Sequence, residues 1–311
     1  MSDADGDDDD NDDNDAILAL GAIFTEPHRP PSPEPTIAVY DSVVEAPPEH
    51  DQPTSSPSPS WTTISVRLVG SHPLWGHHLW NAARSLAVFL QRTPELYVGR
   101  TVLELGAGGG LPGLVASKCG ARKVVLTDYP DQALLDNLAH NVDRNVEPAR
   151  RAATCVRGYV WGGPVDPLLG LLAPPQSDTG GGASAAADGA RRADADAEEN
   201  ADGGARGGGG GVPSFDLILL SDLIFNHSQH RALLTTCERA IAPAGCVLVF
   251  YTHHRPHLAR RDMQFFDMAR EARWECEKVW ADRFPPMFPD DPGEEEVRST
   301  VHGWKLTRAC P

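Results

Sequence analysis

The chain reads as an α/β protein built on a doubly wound, mostly parallel seven-stranded sheet that closes with a C-terminal antiparallel hairpin. Three observations predict this. Short apolar runs of strand length alternate with helix-period segments from residue 101 to 272, the pattern of βα units around a parallel sheet. Phe215-Asp-Leu-Ile-Leu-Leu-Ser221 is a near-continuous apolar run of the kind buried on both faces of such a sheet. Two further strand-like runs, Glu275–Ala281 and Ser299–Thr307, follow with no helical pattern between them, which suits an antiparallel pair at a sheet edge.

The elements follow in order. Thr62–Val69 alternates as a strand, and His77–Gln91 predicts a helix with Leu79, Ala83, Leu86 and Leu90 on one face, ended by Pro94. Thr101–Leu105 is a strand that runs into glycines and restarts as a helix around Leu114–Cys119. Lys123–Asp128 is the next strand, with a helix over Gln132–Val142, and Ala153–Val160 the one after. Phe215–Ser221 is followed by a helix over His230–Ile241, which leads through Pro243-Ala-Gly245 into a strand at Cys246–Tyr251 and a helix at Arg260–Ala272.

Composition divides the 311 residues unevenly. Residues 1–15 are Asp, Asn and Gly with little else, residues 26–60 are rich in Pro and Ser, and residues 176–211 are almost wholly Gly, Ala, Asp, Arg and Ser. None carries enough apolar surface to offset chain entropy. The expected organisation is a disordered N-terminal region over 1–61 and one domain over 62–311, interrupted by a disordered insert at 176–211. The formal net charge of −17 is concentrated partly in the N-terminal Asp run, which repels a nucleic-acid backbone and attracts basic partners. No apolar run approaches the roughly 20 residues of a membrane span, and the acidic start is unlike a signal peptide. A soluble, cytoplasmic protein without nucleic-acid or membrane contacts is expected. Six cysteines without a Cys-x-x-Cys pair fit reduced thiols, and no metal site is indicated: His253, His254 and His257 lack partners at a recognised ligand spacing.

The chemistry gathers at strand ends. In Thr101-Val-Leu-Glu-Leu-Gly-Ala-Gly108 a strand breaks into a glycine turn, where a ligand can approach backbone amides closely. Gly108-x-Gly110-x-x-Gly113 also matches a dinucleotide pattern, but Pro112 removes an amide that a pyrophosphate would use and Glu104 repels it. An acidic residue there favours a cationic amine, which points to S-adenosylmethionine. Asp128 ends its strand about 20 residues beyond the turn, where a carboxylate can accept ribose hydroxyls. Trp161 and Trp80 offer flat faces for an adenine or a sulfonium. Ser221 can touch the cofactor, and Asp222 is the catalytic candidate, placed to hold an incoming amine as it loses its proton. Asn226 and His227 can position the substrate, or serve only as a turn capping the next helix. Gly70–Trp80 reads as a lid or substrate-side segment.

Together, Val69-Gly-Ser-His-Pro-Leu-Trp75-Gly, Glu104-Leu-Gly-Ala-Gly108, Leu126-Thr-Asp-Tyr-Pro-Asp131, Gly158-Tyr-Val-Trp161-Gly and Asp222-Leu-Ile-Phe-Asn-His227 resemble the family 16 class of S-adenosylmethionine-dependent methyltransferases. The resemblance covers about residues 62–308 apart from the insert. It implies a Rossmann-like class I methyltransferase fold and S-adenosyl-L-methionine as cofactor, held by Trp80, Gly106, Ala107, Gly108, Asp128, Trp161 and Ser221, to which the charge of Glu104 adds a partner for the ammonium. It implies no metal. The likeness is closer still to the fungal branch that modifies translation elongation factor 1-alpha on its N-terminal amine and the adjacent lysine, so that factor is the implied protein partner of a monomeric enzyme. Many family members carry Asp-x-x-Tyr after this strand, whereas Asp222-Leu-Ile-Phe225 lacks the tyrosine hydroxyl. Small-amine methylation of the nicotinamide type and a catalytically silent cofactor-binding protein remain the alternative functions.

Overall fold

Seven strands form one sheet in the order β5-β4-β3-β6-β7-β9-β8, as seen in a computed structural model that describes residues 33–43, 61–173 and 213–309. The acidic run at 1–15 and the insert at 176–211 lie outside the described residues. The strands are β3 (Thr101–Leu105), β4 (Lys123–Asp128), β5 (Thr154–Gly158), β6 (Phe215–Ser221), β7 (Ile241–Thr252), β8 (Trp274–Arg283) and β9 (Thr300–Arg308). From β5 through β7 all pairings are parallel; β9 runs antiparallel to both β7 and β8 and sits between them. The chain therefore grows outward from β3 to β5, then returns to the other side of β3 with β6. Such a reversal opens a crevice at the carboxyl ends of the strands.

The longer helices are α1 (Asn81–Arg92), α2 (Leu111–Lys118), α3 (Gln132–Asn145), α6 (His230–Ala240) and α7 (Ala259–Glu271); α4 (Pro148–Arg151), α5 (Asp166–Leu169) and α8 (Glu295–Ser299) are one-turn pieces. Alternate residues of the central strands feed two cores, one per face. Leu86, Leu90, Leu114, Leu248 and Phe250 pack on one side, and Leu103, Leu220, Leu233, Phe265 and Phe266 on the other. All five residues of β3 are buried, which is why that run reads as continuous rather than alternating.

Four boundaries differ from the sequence expectation. The first helix begins at Asn81, not His77, because Trp75 adopts φ 63° and Trp80 is extended (φ −64°, ψ 144°), so the chain turns along the sheet rim before the helix starts. β7 begins at Ile241, which pairs with Phe215 while Cys246 pairs with Leu217; the Pro-Ala-Gly stretch is absorbed in that register shift. Between β8 and β9 the one-turn α8 intervenes where no helix was expected.

The fourth difference corrects the N-terminal boundary. Within the segment read as disordered, Thr36–Asp41 forms a strand, β1, antiparallel to β2 (Thr63–Leu68). Its side chains do not signal a core, since Ile37 and Val39 are exposed and only Tyr40 is buried. What holds it is tertiary: the Tyr40 hydroxyl and the Val43 amide donate to Gln91 Oε1 on α1, and Gln91 Nε2 donates to Ser42 Oγ. The far edge of β2 is paired by a helix. Asn141 and Asn145, one turn apart on α3, each exchange amide hydrogen bonds with β2, at Arg67 and Ser65 respectively. Side-chain amides thus stand in for a third strand and satisfy an edge that would otherwise be open.

Candidate active site

The four strand ends expected to converge do so. The turn after β3, the end of β4, the segment after β5 and the end of β6 line one cavity of about 430 Å³, together with Trp75, His78 and Trp80 from the segment before α1. Gly106, Ala107, Gly108, Asp128, Trp161, Ser221 and Asp222 all contribute to its wall.

The glycine turn is shaped by packing on one side and open on the other. At Gly113 an added Cβ would lie 2.1 Å from Leu126 and 2.6 Å from Glu104, so the start of α2 presses against the sheet. At Gly108, φ is +54° and a Cβ would meet nothing within 4 Å, which leaves the backbone open to the cavity. The Gly108 amide donates to Asp128 Oδ2 at 2.6 Å and the Tyr129 amide to Oδ1 at 2.7 Å. Asp128 is thereby oriented by backbone on both oxygens, each retaining a further lone pair. Burial pushes its pKa up, against those two amides, which pull it down.

Glu104 does not join this group. Its side chain is fully buried and absent from the cavity wall; Oε2 accepts from the Gly113 amide at 2.8 Å, and Oε1 is buried without a partner. Burial raises its pKa to about 8. The physical reason is strand alternation: Glu104 sits two residues before Gly106, inside β3, where its side chain points under α2. The residue that reads as a partner for the cofactor's ammonium instead ties the first turn of α2 to the sheet.

Asp222 is 4% exposed and adopts φ 56°, an uncommon left-handed conformation for a non-glycine residue. Its amide donates to the Phe250 carbonyl at 2.8 Å, which fixes the strained residue to β7. Oδ1 accepts from the Thr252 amide at 3.2 Å and from His254 Nε2 at 3.1 Å, while Oδ2 has no hydrogen-bond partner among the described residues. For His254, burial alone would lower the pKa, but the carboxylates of Asp222, Asp262 and Asp291 outweigh it and the net shift is upward.

His227, by contrast, faces away from the first cavity. Its Nε2 lies 2.6 Å from Asp262 Oδ1, and His253 Nδ1 lies 2.6 Å from Asp262 Oδ2, so one buried carboxylate is clamped by two imidazoles. Two of the three histidines near the end of β7 are accordingly taken up by carboxylates; Asn226 precedes the short helical turn His227–Gln229 without a side-chain capping bond and lines the first cavity. A second cavity of about 480 Å³ adjoins the first, sharing Trp75, Trp80 and Phe225 and extending to His254, Asp262, Phe288 and Asp291.

Sequence reasoning missed Tyr129, Gln229, His254 and Phe288. Tyr129 follows Asp128 at the strand end and was findable by position. Phe288 lies in the connection between β8 and β9, with no spacing that ties it to the site.

Residues 70–170 match the family model described as lysine methyltransferase. Among curated relatives, the protein N-terminal and lysine N-methyltransferase EFM7 of Cryptococcus neoformans is 39% identical, with 94% of this chain and 89% of the relative covered. The Schizosaccharomyces pombe relative of the same name is 38% identical over 93% of this chain and 96% of its own. That of Eremothecium gossypii is 42% identical over 80% and 82%.

Proposed function

The chain belongs to the protein N-terminal and lysine N-methyltransferase family, and from that premise we propose that it methylates the N-terminal amine and the adjacent lysine of translation elongation factor 1-alpha, acting as a monomer in the cytoplasm. The observation that carries this reading is the Asp222 carboxylate. It lines the cavity and is oriented through Oδ1, while Oδ2 is left buried and unpaired. A desolvated carboxylate oxygen is costly unless a donor reaches it, and an amine N–H is such a donor.

The first cavity suits S-adenosylmethionine, which supplies an electrophilic methyl group when bound. The open backbone at Gly108 admits close approach, Asp128 has lone pairs for ribose hydroxyls, Trp161 and Trp80 provide apolar walls, and Ser221 lines the same cavity. Asp222 Oδ2 would accept a hydrogen bond from the acceptor amine and help it lose a proton, so that a neutral nitrogen lone pair forms the bond to the methyl carbon as the donor's sulfur–methyl bond breaks and the thioether leaves. His254 keeps the carboxylate in place. No covalent enzyme intermediate is required, so the work of the chain is orientation and water exclusion.

A protein acceptor is supported by the second cavity of about 480 Å³, which shares Trp75, Trp80 and Phe225 with the first and gives room for a peptide arm. The net charge of −17 favours encounter with a basic terminus. The test is to incubate the enzyme and labelled donor with full-length elongation factor, the same factor with a blocked N-terminus, and nicotinamide. Label is expected on both the terminus and the lysine of the free factor and on the lysine alone of the blocked one. Label on nicotinamide alone overturns the reading.

A further inference from the structure

On the aromatic side of the second cavity, Trp75 and Phe288 have no part in the transfer step. Three rings there are mutually tilted: Trp75–Trp80, Trp75–Phe288 and Trp80–Phe288 have centroids 6.5, 6.2 and 6.0 Å apart and interplanar angles of 66°, 70° and 68°. His254 extends the set, 5.1 Å from Trp80 at 61°. Rings so arranged cannot stack on one another and instead turn faces in several directions. Trp75 is 43% exposed on a left-handed backbone, an uncommon place for a large aromatic to be held.

The charged groups of this cavity favour a cation. Asp262 has one lone pair of each oxygen engaged by His227 and His253 and contributes negative field. Asp291 adds to that field and Arg255 opposes it. A group that keeps its positive charge but has lost its N–H donors gives up nothing by leaving hydrogen-bonding partners and gains from ring faces. A trimethylated ammonium is such a group.

We propose that the second cavity is a binding site for a trimethylated ammonium, holding the amine already modified while its neighbour occupies the transfer site. This rests on the reading that two adjacent amines of one substrate are methylated. The shared walls, Trp75 and Trp80, put the two positions side by side, as neighbouring residues of one chain require.

The test is calorimetry on the full chain saturated with S-adenosylhomocysteine, using peptides that copy the elongation-factor N-terminus. One carries a trimethylated α-nitrogen, and a second has an uncharged tert-butyl group of the same shape in its place. The trimethylammonium peptide should bind roughly tenfold more tightly than the tert-butyl peptide, a difference typical of desolvated cation–π contacts. Phe288→Leu keeps apolar volume without a ring and should abolish the preference, and Phe288→Tyr should restore it; S-adenosylhomocysteine affinity in each variant reports whether the first cavity is intact. Equal binding of the two peptides, or a preference that survives in Phe288→Leu, overturns the proposal. Methyl transfer to the unmodified peptide is measured on the same preparation, so failure of the functional reading appears as absent transfer and stays separate from the ammonium preference.

Discussion

His254 Nε2 donates to Asp222 Oδ1 at 3.1 Å, and the other oxygen of the same buried carboxylate has no partner. Because an ionised Asp222 only accepts, the imidazole must carry its proton on Nε2. A residue just beyond β7 therefore orients a residue just beyond β6.

Asp222→Asn should lower methyl transfer by about a hundredfold or more, because the amide replaces an acceptor oxygen with a donor or leaves the acceptor misdirected. Cofactor affinity should change little. Single-turnover transfer and calorimetry with S-adenosylhomocysteine separate the two quantities. Equal transfer rates in variant and wild type would return Asp222 to a purely structural role at its strained turn.

Asp128→Ala should weaken both S-adenosylmethionine and its demethylated product by about 1–3 kcal/mol, the usual loss for a charge-assisted hydrogen bond. Part of that loss comes through the turn itself, since the variant also frees the Gly108 amide. Unchanged affinity by calorimetry would remove Asp128 from the binding site.

Glu104 predicts a pH signature in stability. Its pKa is about 8 in the folded protein against an ordinary 4.5, so as pH rises between these values the unfolded chain releases a proton that the folded chain keeps. Stability contributed at this site is greatest below the ordinary pKa, falls across that window and levels off above the folded one. Glu104→Gln should flatten this part of the profile and gain on the wild type toward pH 8, measured by denaturant unfolding at several pH values. Parallel profiles for the two proteins would show that Glu104 is not protonated in the fold.

Deleting Ser177–Gly210 should leave cooperative unfolding and cofactor affinity nearly intact, because the cost of closing a loop depends only weakly on its length. Loss of a cooperative thermal transition would identify a structural element in that Gly/Ala-rich stretch.

What the chain's sequence determines by itself is the set of strands that point at the cavity. Thr101–Leu105, Lys123–Asp128 and Phe215–Ser221 occupy the same residues in the structure as in the pattern, because buried parallel strands leave unbroken apolar runs and the turns that end them need glycine or acidic residues. Asp128, Ser221 and Asp222 reach the wall by virtue of those strand ends, and Trp161 by following β5. Tertiary structure decided the rest. Strand β1 exists because Gln91 and β2 hold it, not because its own side chains bury a face. Glu104 left the site because alternation along β3 turned it toward Gly113. His254 and Phe288 entered the site from chain segments 32 and 66 residues beyond Asp222, brought in by the pairing of β6 with β7 and by the connection before β9. Local periodicity records which face of an element is buried, but which distant side chain completes a carboxylate or closes an aromatic wall depends on how elements pack, and that information is carried by the assembled sheet rather than by any one segment.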